Sequence, residues 1–189
     1  VEWVRLRRGG AEFEEYERFL AEYPDWPGLA YLRSQGEPSV PRGGNPERVI
    51  AYFGEAAPRT GMGALALSIA LRADGQGDAA DEVVTETWTG LTMSGGAAAA
   101  LRSSNQSRLN EGDLHIRRLD HLLWEGAEDR AQAMFPLVPE AWHPLAEARL
   151  ALRGQEPGVD AAIERVPEAL QNDPGLAFER FIWRIRAGF

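Results

Sequence analysis

Apolar residues recur every three or four positions along most of this chain, which is the period of an α-helix with one buried face. The clearest faces lie near the two ends and consist of Phe13, Tyr16, Phe19 and Leu20, and of Phe178, Phe181, Ile182 and Ile185. Charged residues fill most of the positions between them. The pattern therefore predicts helices joined by the short connections that are typical of antiparallel neighbours.

Capping residues and prolines predict where several helices begin. Asn45 is a good N-cap, and Pro46 suits the first helical position. Asp25 or Trp26 is expected to open an earlier helix, with Pro27 in its first turn. Further helices are predicted to start at a variant capping box over 110–113 and to extend over 127–135, 140–153, 158–170 and 174–187.

Two segments do not follow the helical period. Leu65, Leu67, Ile69 and Leu71 alternate as in a strand, but the alanines among them suit close-packed helices, so we predict a buried helix. The segment 103–107 is rich in Ser, Asn and Gln, which compete with the helical backbone for hydrogen bonds. We expect that segment to be poorly helical and mobile.

A short phrase recurs along the chain: a helix-start signal, a small residue, Leu-Ala and then more helix. Its Leu-Ala pairs begin at positions 29, 65, 145 and 176 and should be largely buried. If the long gap holds one unrecognised repeat, the spacing averages about 37 residues, and periods in this range indicate solenoids of helix pairs. We therefore predict an all-α fold, a TPR-like α-solenoid or superhelix of antiparallel helix hairpins, formed by residues 1–189 as one domain.

Composition and charge exclude several classes of partner. The 189 residues carry a formal net charge of −9, with a sequence pI near 4.9. Nucleic acids and anionic membrane surfaces require a basic footprint, so neither is expected as the main partner. No apolar run is long enough to span a bilayer. The absence of cysteine excludes disulfides and thiolate metal sites but leaves the compartment open.

Both ends of the chain indicate a longer protein. The chain begins with Val1, without an initiator Met or a signal peptide, and it stops just after the amphipathic helix predicted over 174–187. We expect a piece of a processed or trimmed protein. The apolar face of that last helix should then be partly exposed or engaged in self-association, unless a further domain covers it.

The histidines and carboxylates do not indicate a reaction centre. His115 and His121 are six positions apart, so a helix places them on different faces, and His143 lies near a predicted helix start. Two carboxylates at a suitable distance would serve a glycosidase, but sequence spacing does not set that distance. Charge-rich helix faces are usually solvated, and we interpret in this way the acidic residues over Glu12 to Glu17, Asp81-Glu82 and Glu164.

Serines and glycines give no stronger signal. Ser103, Ser104 and Ser107 lack the context of a nucleophile elbow. The glycine pairs at 9–10, 43–44 and 95–96 do not follow predicted strands, which argues against a phosphate-binding loop. We therefore assign no catalytic residue, no cofactor-binding residue, no cofactor and no metal site.

The tryptophans leave two interpretations open. Aromatic rings can stack on the apolar faces of sugars, so a glycan-binding groove is one of them. The other, which we favour, is that large residues near helix ends wedge neighbouring hairpins together. The six tryptophans are Trp3, Trp26, Trp88, Trp124, Trp142 and Trp183. Arginines are expected to cover apolar surface with their stems and to pair with Glu, or to line an inner surface, at Arg33, Arg149, Arg180 and Arg184.

Three phrases together resemble a known family. They are AYF at 51–53 leading to TGMGALAL at 60–67, HIRRLDHLLW at 115–124, and PEALQNDPGLAFER at 167–180. In this order and at these distances, they resemble the N-terminal superhelical region of soluble lytic transglycosylases from Gram-negative bacteria. The similarity covers roughly 10–187, and it rests on scaffold phrases, not on catalytic ones.

The resemblance implies a periplasmic enzyme that cleaves the glycan strands of peptidoglycan and leaves 1,6-anhydromuramyl ends. In that family a separate lysozyme-like domain follows the superhelix and carries a catalytic Glu. This chain has no Glu-Ser pair opening a catalytic helix, no Gly-Leu-Met-Gln segment and no late Asn-Ala-Gly segment. No catalytic residue is carried over, and the resemblance implies the scaffold alone, with the catalytic domain as its partner in cis.

Two other functions remain open. The first is a free-standing TPR-like adaptor that binds a protein or peptide on its concave face. The second is an enzyme complete in this chain, with acid–base carboxylates at helix ends. The sequence downstream of Phe189 would discriminate the scaffold from the adaptor, and a peptidoglycan digestion would test the enzyme.

Overall fold

The part of the chain that the structure describes is built of helices joined by turns and loops. The computed structural model describes residues 2–186 and 188, and over them it contains thirteen α-helices, four short 3-10 turns and no strand. The all-α prediction is therefore confirmed. The chain divides into two compact units, one up to Leu109 and one from Asn110 onward. The prediction of one superhelical domain over 1–189 stays a prediction.

The first unit is built around one central helix. Its α-helices are α1 (Glu2–Leu6), α2 (Phe13–Glu22), α3 (Leu29–Gly36), α4 (Pro46–Phe53), α5 (Gly61–Ala73), α6 (Gly77–Gly90), α7 (Gly95–Ser104) and α8 (Gln106–Leu109), and a 3-10 turn covers Glu37–Ser39. Helix α5 packs against α4, α6 and α7, while α3 packs against α1 and α2. Apolar residues of α1 to α6, including Phe13, Tyr16, Phe53 and Leu67, form one core.

The central helix α5 is the segment whose leucines alternate in the sequence. It forms a helix, as predicted, because small residues separate the leucines and let neighbouring helices approach on several sides. Leu65, Leu67 and Leu71 are all buried, and Ile69 is half-buried. Thr60 caps the helix, since its hydroxyl accepts a hydrogen bond from the Gly63 amide at 3.0 Å.

The second unit is built around α11. Its α-helices are α9 (Leu114–Glu125), α10 (Glu128–Gln132), α11 (His143–Gly154), α12 (Val159–Glu164) and α13 (Pro174–Arg186), with 3-10 turns over Phe135–Leu137, Glu140–Trp142 and Glu168–Leu170. Helix α11 packs against α9, α10, α12 and α13. Leu145, Leu152, Val159 and Leu176 lie in the core between these helices.

Prolines shorten the predicted helices of the second unit. The helix predicted over 127–135 ends at Gln132 and is followed by a 3-10 turn that carries Pro136. The helix predicted over 158–170 ends at Glu164, and a 3-10 turn follows Pro167. The helix predicted over 140–153 opens as a 3-10 turn and becomes α-helical at His143. The helix predicted over 174–187 is α13, but position 187 lies outside the described residues.

One predicted helix start is wrong, and one predicted capping box does not form at a helix that begins where expected. Helix α3 begins at Leu29, and neither Asp25 nor Trp26 opens it, because Gly28 at its N-cap has a φ of +84° that interrupts the helical backbone. At α9, Asp113 occupies the N-cap position without a side-chain capping bond, so the capping box predicted over 110–113 does not form. By contrast, Asn45 caps α4 as predicted and accepts from the Arg48 amide at 3.2 Å.

The segment 103–107 is helical, contrary to prediction, except at one residue. Ser103 and Ser104 end α7, and α8 begins directly after Asn105. Asn105 is buried, and its side chain donates to the Leu101 carbonyl at 2.9 Å and accepts from Arg72 at 3.2 Å. Packing of the segment against the unit thus overrides the weak helix propensity of its residues.

The Leu-Ala pairs differ in burial. The pairs at 65–66 and 145–146 are buried, as predicted. At 29–30 the leucine is half-buried and the alanine exposed, and at 176–177 Leu176 is buried while Ala177 is exposed. The phrase recurs in the sequence, but it does not mark the same packing environment each time.

Candidate functional site

A cluster of aromatic side chains lies on the surface of the first unit. We call it the aromatic platform and define it as Trp3, Tyr23, Trp26 and Tyr31. Trp26 is 43% exposed and Tyr31 is 48% exposed, Tyr23 is also exposed, and Trp3 is half-buried against the core. Apolar side chains of this size are normally buried, so a group of them at the surface indicates a binding surface.

Three rings of the platform, those of Trp3, Tyr23 and Trp26, form a chain of contacts and are anchored from below, whereas Tyr31 is connected to Trp3 through Arg7. The Trp26 ring lies 6.5 Å from that of Trp3 and 5.7 Å from that of Tyr23, between ring centroids. The buried Phe19 contacts both Tyr23, at 4.8 Å, and Trp26, at 6.1 Å. These tilted and edge-to-face contacts limit ring motion, so the platform is largely preorganised.

Polar groups border the platform. The Arg7 guanidinium lies 4.5 Å above the Trp3 ring and 5.5 Å from that of Tyr31, measured to the centroids. The Tyr23 hydroxyl donates a hydrogen bond to Glu22 at 3.0 Å, and this carboxylate raises the pKa of Tyr23. Hydrogen-bond donors and acceptors therefore lie beside the partly exposed rings.

The sequence YPDWPG at 23–28 builds the platform. Pro24 disfavours helical geometry at Tyr23, so α2 ends at Glu22 and the chain turns, with the Trp26 amide donating to the Tyr23 carbonyl at 3.1 Å. Gly28 then starts α3 with its positive φ. The tight connection between the two helices leaves Trp26 outside the core.

Such a surface suits a ligand with both apolar and polar faces. The negative face of an aromatic ring attracts polarised C–H groups, and one face of a pyranose ring presents several of these together. Arginine and carboxylate side chains at the border could bind the hydroxyl groups of the same sugar. The arrangement can bind such a ligand by stacking.

The six tryptophans divide between core and surface. Packing is the correct interpretation for Trp88, which is fully buried, and for Trp3, Trp142 and Trp183, which pack against the two cores. Trp26 and Trp124 are partly exposed and also pack at joints, since the Trp26 ring contacts that of Phe19 and the Trp124 ring contacts that of Phe178 on α13. Helix periodicity alone does not separate these cases, because all of them lie at helix ends or in connections.

The histidines and serines do not converge on a site. The ring of His143 stacks on Phe135, with centroids 4.6 Å apart, and its Nε2 lies 3.0 Å from the Phe135 carbonyl oxygen. His115 Nε2 lies 3.1 Å from Asn110 Oδ1. Ser103, Ser104 and Ser107 are exposed on α7 and α8. Within 2–186 and 188, no three His, Asp or Glu side chains are grouped closely enough to hold a metal ion.

One buried carboxylate is structural. Glu37 is 2% exposed and accepts hydrogen bonds from the Arg59 amide at 2.8 Å and from the Thr60 amide and hydroxyl, both at 2.7 Å. Burial raises the pKa of Glu37, and these hydrogen bonds partly oppose the shift. A catalytic acid also needs a raised pKa, but Glu37 is enclosed at the start of α5 and is inaccessible to a substrate.

Two arginines of α11 connect the helices of the second unit. Arg149 is 2% exposed and lies 2.5 Å from Asp120 and 3.5 Å from Asp173, with its guanidinium 5.0 Å from the Trp124 ring centroid. One turn later, Arg153 binds the buried Glu179 at 2.5 Å. Arg149 thus pairs with aspartates and not with Glu as expected, and both arginines are structural.

Four further arginines, Arg118, Arg33, Arg180 and Arg184, differ from Arg149 and Arg153 in their surroundings. Burial and the nearby charge of Arg130 lower the pKa of Arg118 to about 10, so the guanidinium stays charged at neutral pH. Arg33, Arg180 and Arg184 were expected to pair with Glu, but no ion pair joins them to another residue in the described part of the chain.

A groove in the first unit forms a second candidate surface. It lies between α4, the connection that follows α4, α5 and α6, and has a volume of about 480 Å³. Ile50, Leu67, Leu71 and Val83 contribute apolar surface. We call it the acidic groove, because the carboxylates that line it are Glu55, Glu82 and Glu86.

Comparisons of the chain with known protein families, with curated proteins and with solved structures found no match. Among the described residues, no helix is both long enough and apolar enough to cross a lipid bilayer.

Proposed function

We propose that this chain is the non-catalytic helical scaffold of a periplasmic lytic transglycosylase, and that it holds glycan strands of peptidoglycan for a catalytic domain in cis. The observation that carries the proposal is the aromatic platform, a preorganised surface of exposed rings bordered by Arg7 and Glu22. The resemblance of the segments 51–67, 115–124 and 167–180 to that family supports the same substrate class. The TPR-like solenoid arrangement of the helix pairs is part of this proposal.

The platform suits a glycan strand better than it suits a nucleic acid. A net charge of −9 opposes binding of nucleic acids, which also stack on aromatic rings. A neutral sugar face does not require a basic surface. Contacts through a few exposed rings give weak binding per site, which suits a scaffold that must release its strand after cleavage.

A binding assay tests the proposal. The chain is incubated with purified, insoluble peptidoglycan, and the bound fraction is measured after sedimentation. We expect Trp26→Ala and Tyr31→Ala each to lower the bound fraction several-fold, because loss of one stacked ring costs about 1–3 kcal/mol when a base is the partner. Phe181→Ala, which removes a still more exposed ring from α13, is the control and should bind as the wild type does.

The alternative function is a free-standing adaptor for a protein or peptide. The acidic groove favours it, because an apolar floor with carboxylates at its border is typical of peptide-binding surfaces. Unaltered binding to peptidoglycan by Trp26→Ala and Tyr31→Ala, or no binding by the wild type, would contradict the scaffold proposal and leave the adaptor.

A further inference from the structure

The carboxylates of the acidic groove form no ion pair within residues 2–186 and 188. Glu82 and Glu86 lie four residues apart on α6, and Glu55 lies on the connection that follows α4. All three are exposed, and in the described part of the chain none of them forms an ion pair or a hydrogen bond. The groove between them is apolar, so it is suited to an apolar ridge flanked by positive charges.

Helix α13 carries a ridge of this kind. Phe181 and Ile185 lie one turn apart and are 60% and 55% exposed, and Phe178 on the same face is also exposed and contacts Trp124. Arg180 and Arg184 also lie one turn apart and border this face. We call the set Phe178, Phe181 and Ile185 with Arg180 and Arg184 the α13 ridge.

The two surfaces match in chemistry and in spacing. Residues four apart on a helix are separated by about 6 Å along its axis, so Arg180 and Arg184 repeat at the interval of Glu82 and Glu86. An antiparallel approach of α13 to α6 pairs the two arginines with the two glutamates while the aromatic and aliphatic side chains enter the groove. We propose that the acidic groove of one molecule binds the α13 ridge of a second copy of this chain.

The proposal has consequences for assembly and is independent of glycan binding. Groove and ridge are different surfaces, so the contact is heterologous. In an open assembly the molecule at one end keeps a free groove and the molecule at the other end a free ridge, until the subunits close into a ring. The ridge is short, so the interface is small and the association weak and dependent on concentration. Because charge pairs contribute to it, salt should weaken the association.

Charge reversal in sedimentation-velocity experiments tests the pairing. We expect the weight-average mass of the wild type to rise with concentration. Glu82→Arg with Glu86→Arg, or Arg180→Glu with Arg184→Glu, should weaken the association at least about tenfold, because each change places like charges together. The protein with all four substitutions should regain association, because its groove and ridge are again complementary.

The control reverses two exposed carboxylates outside the groove, Glu140→Arg with Glu168→Arg, and should associate as the wild type does. Helical circular dichroism and the melting temperature show whether each variant is folded. A wild type that stays monomeric at every concentration would overturn the proposal, as would association that neither pair of reversals weakens. Failure of the fourfold variant to associate would show that groove and ridge bind different partners, and would overturn it too.

Discussion

Gly175 lies where a side chain cannot be accommodated without moving Arg149. A Cβ added at Gly175 would overlap the buried Arg149 guanidinium, which is held by Asp120 and Asp173. We therefore expect Gly175→Ala to lower the free energy of unfolding by about 1–3 kcal/mol, although alanine favours the helix itself. Urea denaturation followed by circular dichroism measures the change.

Gly96 in α7 provides the matched control. A Cβ there meets no atom within 4 Å, so Gly96→Ala should leave the stability unchanged or raise it by up to about 1 kcal/mol. If both substitutions were equally well tolerated, the close contact between Gly175 and Arg149 would not contribute to folding.

The buried Glu37 makes stability depend on pH in a defined direction. Since burial raises its folded-state pKa above the ordinary value of 4.5, the folded state binds more protons than the unfolded state between these two pKa values. The contribution of Glu37 to stability therefore falls as the pH rises through this window. We expect the free energy of unfolding of the wild type to decrease relative to that of Glu37→Gln as the pH rises above the ordinary pKa of 4.5.

The comparison with Glu37→Gln cancels the titration of the other carboxylates, because both proteins carry them. Denaturant unfolding at several pH values gives the difference directly. A wild type that gains stability over Glu37→Gln as the pH rises would mean that the hydrogen bonds from Arg59 and Thr60 outweigh the cost of burial.

At the scale of the element, the recurring Leu-Ala phrase makes different contacts in different helices. Ala146 on α11 is fully buried, whereas Ala177 on α13 is exposed. We expect Ala146→Leu to overpack the core and to cost about 1–3 kcal/mol, whereas Ala177→Leu should change stability by less than about 0.5 kcal/mol. Thermal melts of the two variants form a matched pair, and equal losses would show that the exposed position also packs closely.

Helix α13 also shows how an element keeps one face for the core and another for solvent. Leu176 and Glu179 face the core of the second unit, and Phe178, Phe181 and Ile185 face outward. The face with Phe181, Ile182 and Ile185 was expected to be partly exposed. This is confirmed, because Phe181 and Ile185 are exposed and Ile182 is half-buried.

At the scale of the whole molecule, we expect no cleavage of peptidoglycan. Cleavage of a glycosidic bond needs an accessible carboxylic acid with a raised pKa beside the scissile oxygen. Glu37 has a raised pKa but is enclosed, and its three hydrogen-bond donors belong to the protein. Release of soluble anhydromuropeptides from purified sacculi is the measurement.

The same assay should be run beside a version of the protein that carries the proposed downstream domain. Turnover by the longer version alone would support the scaffold proposal. Turnover by the 189-residue chain would contradict it and favour an enzyme complete in this chain.

The sequence by itself determined the helical class and most of the helices. Periodicity and local capping act between residues a few positions apart, so the Asn45 cap and the apolar faces of α2 and α13 could be identified without tertiary information. The helix over Leu65 to Leu71 also followed from local composition, because alanines among the leucines favour close packing of helices.

Only the tertiary structure decided which similar residues are buried and which are exposed. Burial depends on neighbours that are distant in sequence, so Trp88 and Trp26, or Ala146 and Ala177, cannot be told apart by their local patterns. The same holds for the aromatic platform, which combines residues of α1, α3 and the connection before α3, and for the acidic groove. Tyr23, Trp26 and Tyr31 are close in sequence, but only the folded chain places Trp3 beside Trp26, and only the fold brings Glu55 to the groove lined by Glu82 and Glu86.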